Sequence, residues 1–135
     1  MGVFRQDLLA EKVALITGGG SGINFGIATS FVNYGAKVSL VSRTQSKLDA
    51  AAAKLSADGS QAKGFSADVR DADALQAAID QTLEAFGRID ILVNGAAGNF
   101  LSPAASMSTN AFKSVMDIDT LGTFNACRLC FEHLV

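Results

Sequence analysis

Four short apolar runs, each followed by a longer stretch with helical spacing, restrict the fold of this chain more than any other feature. The runs are KVALIT (12–17), AKVSLVS (36–42), AKGFSAD (62–68) and RIDILVN (88–94). Strands that alternate with helices through short connections form a parallel sheet, which helices cover on both faces. Strands buried on both faces are largely apolar, as most of these runs are. The sequence therefore predicts an α/β fold with a doubly wound parallel sheet in three αβα layers.

The helical stretches are predicted over 23–35, 44–59, 71–87 and from about Ser108 to Val135, with glycines as stop signals after the first three. A length of 135 residues suits a single domain, so residues 1–135 are expected to be one nucleotide-binding domain. A complete sheet of this class has about six strands. We therefore expect the N-terminal portion of a longer domain, truncated after its fourth strand and fourth helix, with the fourth strand as an exposed edge.

The composition excludes several classes of partner. Apolar residues make up 49% of the chain and charged residues 18%, with a net charge of -2 and no basic run. Nucleic acid and anionic membranes are therefore not expected as partners. No apolar run approaches the length of a membrane span, and the start MGVFRQDLLAEK does not resemble a secretory signal. A soluble intracellular protein is expected.

Cys127, Cys130 and His133 form a C-x-x-C-x-x-H pattern. A structural zinc site needs four ligands, and this pair stands alone inside a helical stretch rather than at a helix start. We expect ordinary helix residues here and no metal.

The turn TGGGSGI (17–23) follows the first strand and opens the first helix, which is the context that a phosphate-binding turn requires. Glycines let the backbone approach a pyrophosphate, and the helix N-terminus adds partial positive charge. The spacing T-G-x-x-x-G-x-G fits except at its last position, which is Asn24. Asn tolerates a left-handed backbone well, so we predict a variant turn that still binds a dinucleotide in a Rossmann-like fold.

The end of the second strand favours NADP(H) over NAD(H). NAD sites place an acidic residue there to bind the ribose hydroxyls, whereas this chain has Ser42 followed by Arg43. A guanidinium can hold a 2′-phosphate through two charge-assisted hydrogen bonds. Arg43 is the predicted anchor, with Lys47 as a second positive charge.

Several segments resemble the short-chain dehydrogenase/reductase family. TGGGSGI matches its glycine turn, ADV (67–69) its adenine-flanking Asp-Val, and ILVNGAAG (91–98) its N-N-A-G segment. Within that family, GAAGNF (95–100), NAFKSVMDIDTLGTFN (110–125) and DVR (68–70) are similar to the 2,4-dienoyl-CoA reductases. The likeness covers almost the whole chain after Lys12.

The resemblance implies NADPH-dependent reduction of a 2,4-dienoyl-CoA to an enoyl-CoA, a step of β-oxidation of unsaturated fatty acids. Hydride would add at the far end of the conjugated system, and a proton would follow next to the thioester. The resemblance also implies a homo-oligomer, either a dimer or a tetramer, and leaves a cytoplasmic or a peroxisomal location open.

With the glycine turn and the two cations, the predicted cofactor site comprises Thr17, Gly18, Gly19, Gly20, Ser21, Gly22, Ile23, Arg43, Lys47, Asp68, Val69, Asn94, Gly95, Ala96 and Ala97. The residues expected to face the acyl-CoA are Arg43, Arg70, Phe100, Ser108, Thr109 and Asn110. Asp119 stands where most short-chain dehydrogenases have a catalytic Asn, and the resemblance implies that it orients a water or a catalytic Lys. An exposed helix charge is the alternative for Asp119.

Three departures from the family pattern matter. The catalytic Tyr-x-x-x-Lys, or its variant that retains the Lys, is not within residues 1–135, and the one tyrosine, Tyr34, belongs to the first helix. We therefore expect no turnover from residues 1–135 alone. Asn24 replaces a glycine of the turn, and Gly95 replaces the second Asn of N-N-A-G.

Two other functions stay open. A 3-oxoacyl or carbonyl reductase of the same family would favour Asn at position 119 and a standard Tyr-x-x-x-Lys. A nucleotide-binding module without catalysis would need no such residues. A lysine in the next helical segment after Val135 would separate the enzymes from the module.

Overall fold

The computed structural model describes residues 3–134, and its strands form one parallel sheet. The strands are β1 (Val13–Thr17), β2 (Lys37–Ser42), β3 (Ala62–Ser66) and β4 (Ile91–Asn94). Their order across the sheet is β3-β2-β1-β4, and every pair is parallel. The predicted α/β class with a parallel sheet is confirmed.

Helices connect the strands. They are α1 (Gly22–Asn33), α2 (Gln45–Leu55), α3 (Ala72–Phe86), α4 (Thr109–Met116) and α5 (Gly122–Leu134). A turn of 3₁₀-helix (Ala104–Ser106) precedes α4, and a π-helical turn (Asp117–Leu121) joins α4 to α5. Local signals set both ends of α3: Asp71 accepts the first-turn N–H groups of Asp73 and Ala74, and Gly87 ends the helix with φ +82°.

Helix α2 ends at Leu55, four residues before the predicted stop at Gly59. Polar side chains turn the chain first: the Asp58 carboxylate accepts hydrogen bonds from the Ser60 N–H and the Ser56 hydroxyl. The Ser60 N–H, followed by the two hydroxyls, lowers the pKa of Asp58 to about 2. Such local side-chain bonds compete with helix formation, and they end α2 early.

The sheet separates two apolar cores. Ala14 and Ile16 face α1 and α2, whereas Leu15 faces α3 and α5. Each of these β1 side chains is fully buried, because successive residues of a strand point to opposite faces. A buried polar contact joins the sheet to α3: the Ser39 and Thr82 hydroxyls lie 2.7 Å apart.

Strand β4 lies at one edge of the sheet, and within residues 3–134 it pairs with β1 alone. Its apolar side chains are partly exposed. Helices α4 and α5, with the π turn between them, also expose large apolar side chains, among them Phe112, Met116, Leu121, Phe124 and Phe131. None of the helices described for residues 3–134 has the length and hydropathy of a membrane span.

Candidate functional site

A cleft of about 870 Å³ opens at the carboxyl ends of the strands. Thr17 pairs in register with Val41 of β2 and with Asn94 of β4, so these three strands end at one level. The strand order reverses between β1 and β4. In open parallel sheets, ligands bind in the crevice at this switch point.

The Thr17 side chain links the end of β1 to the loop after β4. Its buried hydroxyl oxygen accepts hydrogen bonds from the N–H groups of Gly95, at 3.1 Å, and Ala96, at 3.2 Å. The same hydroxyl donates to the Val93 carbonyl oxygen at 3.4 Å. The loop after β4 is therefore fixed to the last residue of β1.

Gly18 packs backbone against backbone on the same loop. A Cβ atom on Gly18 would lie 2.7 Å from the Gly95 carbonyl oxygen, and its φ of +67° is left-handed. Side chains rarely occupy either the space or that conformation. Only glycine fits here, which is the physical reason for the glycine that starts the turn.

The N-terminus of α1 faces the cleft. Its N-cap residue, Ser21, makes no side-chain capping bond, and the first turn contains no acidic residue. Gly22 adopts φ +59° at the helix start, and no atom lies within 4 Å of the position that a Cβ would occupy. The first-turn N–H groups and the positive end of the helix dipole therefore suit a phosphate.

The wall formed by the segment after β2 carries the positive charge of the cleft. Arg43 and Lys47 line it, together with Ser42 and Thr44. Within residues 3–134 the Arg43 side chain makes no hydrogen bond of its own. No carboxylate occupies the end of β2, so this wall favours an anionic group over a pair of ribose hydroxyls.

Asp68 and Arg70, which follow β3 and also line the cleft, form a two-pronged ion pair. The Arg70 Nη2 atom lies 2.6 Å from Asp68 Oδ2, and its Nε lies 3.0 Å from Oδ1. The Arg70 hydrogen bond lowers the pKa of Asp68 despite the opposing effect of partial burial. Since its guanidinium is held by Asp68, Arg70 is less available to a phosphate than Arg43 is.

Asp119 lies in the π turn and is partly buried. Its Oδ1 atom accepts the Gly98 N–H at 2.8 Å, which fixes the segment after β4 to the helix. Asp117, two residues earlier, instead pairs with Lys113 one turn back. π-helical turns inside α-helices are frequent at functional sites.

The cleft brings most of the predicted cofactor residues together: Gly18, Gly20, Ser21, Gly22, Ile23, Arg43, Lys47, Asp68, Val69, Gly95, Ala96 and Ala97. Three others do not line it. Thr17 lies beneath the loops, and a Cβ on Gly19 would lie 2.9 Å from the Ile16 carbonyl oxygen. The Asn94 amide donates to the Cys127 sulfur at 3.3 Å.

The residues predicted to face an acyl-CoA divide into two groups. Arg43 and Arg70 line the cleft. Phe100, Ser108, Thr109 and Asn110 are exposed outside it, and Ser108 caps α4 by accepting the Ala111 N–H. The roles of these residues in substrate binding stay predictions.

The sequence alone does not predict the contacts that Asn24 makes in the fold. Asn24 lines the cleft, and its amide donates to the carbonyl oxygens of Gly95, at 2.8 Å, and Gly18, at 3.4 Å. The signal was present, because Asn24 interrupts the glycine motif, but its partner lies 71 residues away. Ala67 and Ile118 also line the cleft without having been predicted.

The two cysteines lie apart from the cleft walls. Cys127 is exposed, whereas Cys130 is buried, and burial, with a smaller contribution from Cys127, raises the pKa of the Cys130 thiol to about 11. Among residues 3–134 no three His, Cys, Asp or Glu side chains gather as metal ligands.

A parallel sheet in the order β3-β2-β1-β4, a glycine turn at a helix N-terminus and an arginine after β2 define a nucleotide-binding α/β protein. Residues 12–135 match the family model described as short chain dehydrogenase. The chain belongs to the short-chain dehydrogenase family.

Three known proteins show how far the likeness extends. A peroxisomal 2,4-dienoyl-CoA reductase of Rattus norvegicus is 54% identical over 131 residues, which are 96% of this chain and 45% of that protein. A short chain dehydrogenase structure from Bacillus anthracis is 44% identical with a TM-score of 0.85, over 90% of this chain and 51% of that one. A 3-ketoacyl-(acyl-carrier-protein) reductase from Brucella melitensis, complexed with NADH, is 32% identical with a TM-score of 0.85, over 93% and 51%. The chain spans about half the length of these relatives.

The Thr17 hydroxyl can be tested by an isosteric change in the full-length protein that carries this chain. Thr17→Val keeps the side-chain volume but removes the acceptor of two N–H groups, and each unsatisfied buried group costs about 1–3 kcal/mol. We expect the free energy of unfolding to fall by about 2 kcal/mol or more, measured by denaturant titration. Thr17→Ser retains the oxygen and should lose less; an equal loss in both variants would show that the methyl group, not the acceptor, matters.

Proposed function

We propose that the protein carrying this chain reduces 2,4-dienoyl-CoA thioesters to enoyl-CoA thioesters with NADPH. The observation that carries this proposal is the 54% identity to a peroxisomal 2,4-dienoyl-CoA reductase over nearly the whole chain. The glycine turn, the α1 N-terminus and Arg43 support a nicotinamide dinucleotide as the cofactor. When bound, NADPH supplies the hydride of such a reduction.

Arg43 is the residue proposed to select NADPH over NADH. It lines the cleft at the end of β2 and has no hydrogen-bonding partner of its own in residues 3–134. A carboxylate at this place would repel a 2′-phosphate, and Ser42 provides none. Lys47, on the first turns of α2, adds a second positive charge to the same wall.

Asp119 is proposed to be a positioning residue for proton delivery, acting on a water or on a lysine in the C-terminal half of the protein. Its Oδ1 atom is used by the Gly98 N–H, which leaves the second carboxylate oxygen for such a partner. The negative charge, which an Asn at this position would lack, is what distinguishes this proposal from a purely structural role.

Two features of the whole protein belong to the same proposal. The apolar side chains exposed along α4, the π turn and α5 support a homo-oligomer, in which a second surface covers them. The names of the relatives from Rattus norvegicus and Arabidopsis thaliana favour a peroxisomal over a cytoplasmic location.

An activity assay on the full-length protein tests the reaction. We expect NADPH oxidation, followed by absorbance, that depends on added 2,4-dienoyl-CoA and yields one enoyl-CoA per NADPH. Residues 1–135 alone should show no turnover. Activity on a 3-oxoacyl-CoA but not on a 2,4-dienoyl-CoA would replace the proposal by the second reductase reaction, and nucleotide binding with no activity on either would favour a non-catalytic module.

Cofactor choice is tested by Arg43→Ala. Because hydrogen bonds to charged groups contribute about 1.5–3 kcal/mol, the Kd of NADPH should rise about 10- to 100-fold, while the Kd of NADH should change little. Fluorescence titration of both nucleotides measures this. Lys54→Ala removes a positive charge from the last turn of the same helix that carries Lys47 and serves as the control. An equal loss for both nucleotides would contradict the assignment to the 2′-phosphate.

Asp119→Asn separates charge from hydrogen bonding. The amide oxygen can still accept the Gly98 N–H, so the fold and the KM for NADPH should be retained. We expect kcat to fall at least about tenfold, or about 1.4 kcal/mol in the activation barrier, with a changed pH profile. Asp117→Asn, beside it in the π turn, is the control. Unchanged kcat in Asp119→Asn would leave only the structural role.

A further inference from the structure

Asn24 and Gly95 depart from the family motifs at two sites that are far apart in the sequence. Asn24 stands where the glycine turn has its last glycine, and Gly95 stands where N-N-A-G has its second Asn. In the fold the two residues are in contact across the cleft floor. We propose that glycine and asparagine have exchanged places at these two positions. The family motifs have the glycine in α1 and the asparagine after β4, whereas here the Asn24 amide of α1 positions the loop after β4 for the cofactor.

The hydrogen bonds of Asn24 join the two loops of the cleft. Its Nδ2 atom donates to the Gly95 carbonyl oxygen at 2.8 Å and, over a longer distance of 3.4 Å, to the Gly18 carbonyl oxygen. The side chain is partly buried, so water competes less well for these carbonyls than on an open surface. A single amide therefore links the turn after β1 to the loop after β4.

The space around Gly95 shows that each residue restricts the other. A Cβ atom on Gly95 would lie 2.3 Å from the Cγ, Nδ2 and Oδ1 atoms of Asn24. The backbone of Gly95 is not in the left-handed region, so the Asn24 amide, and not the backbone conformation, excludes a side chain there. Any larger residue at position 95 must shift the amide away from its present place between the Gly95 and Gly18 carbonyl oxygens.

Gly18, unlike Gly95, cannot be replaced by a larger residue even if its neighbours change. Its Cβ position is blocked by the backbone of Gly95 and Ala96, which no side-chain change can move. Position 95 is different, because only one short side chain occupies the space. A glycine at position 24 would vacate that space for a side chain at position 95, and the pair is therefore predicted to be interchangeable.

The pair matters for the cofactor because Gly18, Asn24 and Gly95 all line the cleft. Their bonds hold the glycine turn against the loop after β4, and a dinucleotide in the cleft would contact both segments. This step rests on the proposed function, since it takes a nicotinamide dinucleotide as the ligand. The contact between the two residues does not depend on it.

Four forms of the full-length protein test the exchange: wild type, Asn24→Gly, Gly95→Asn and the double variant. Two quantities are measured, the thermal unfolding midpoint without nucleotide and the Kd of NADPH. Gly95→Asn should lower the midpoint by at least about 5 °C and raise the Kd more than tenfold. Asn24→Gly alone should change the Kd less than about tenfold. The double variant should return the midpoint to within about 2 °C of wild type and the Kd to within about threefold.

Gly26→Asn is the matched control, because it introduces the same side chain into α1 at an exposed position with no atom within 4 Å. It should leave the Kd of NADPH unchanged. Should Gly95→Asn fail to fold, recovery of a folded protein on adding Asn24→Gly is the same positive result. A double variant no better than Gly95→Asn alone overturns the exchange. Absence of NADPH binding in wild type would instead contradict the proposed function, while the midpoints still decide the pairing.

Discussion

The contact between the turn after β1 and the loop after β4 is the constraint on which the cleft depends. Two backbones meet there without side chains between them, since a Cβ on Gly18 would overlap the Gly95 carbonyl. Thr17 satisfies the N–H groups of Gly95 and Ala96 from below, and Asn24 satisfies the carbonyls from the side. Buried backbone groups need such partners. Thr17, Gly18 and Asn24 therefore keep the turn after β1 and the loop after β4 in contact.

The remaining parts of the cleft are supported by that contact. Parallel register brings the ends of β1, β2 and β4 to one level, and the N-terminus of α1 is then directed at the space between them. The segment after β2 adds the positive charge of Arg43, and the Asp68–Arg70 ion pair after β3 also lines the cleft. The result is a cleft lined largely by backbone, which suits the dinucleotide proposed as the cofactor.

The second half of the described chain is connected to this site through Asp119. The π turn places its carboxylate on the Gly98 N–H, so the segment after β4 is held at both ends, by Thr17 at the start and by Asp119 further on. The chain spans about half the length of its curated relatives, so the site described here is the part that residues 3–134 supply. Residues 3–134 therefore provide a cleft that suits a nucleotide, and Asp119 links that cleft to the last helices.

The sequence by itself determined the parallel α/β class, the position of the glycine turn TGGGSGI and the positive residue after β2, because each of these is encoded in a few consecutive residues. It also predicted most of the residues that line the cleft. Tertiary structure decided the early end of α2 at a Ser-Asp turn, the π turn within the last helix, and the pairing of Arg70 with Asp68. It alone showed that the Asn24 amide fills the space that a side chain at position 95 would need. The sequence shows each departure from the motifs separately. The hydrogen bond and the steric exclusion act between residues 71 positions apart, so only the fold shows that the two departures are in contact.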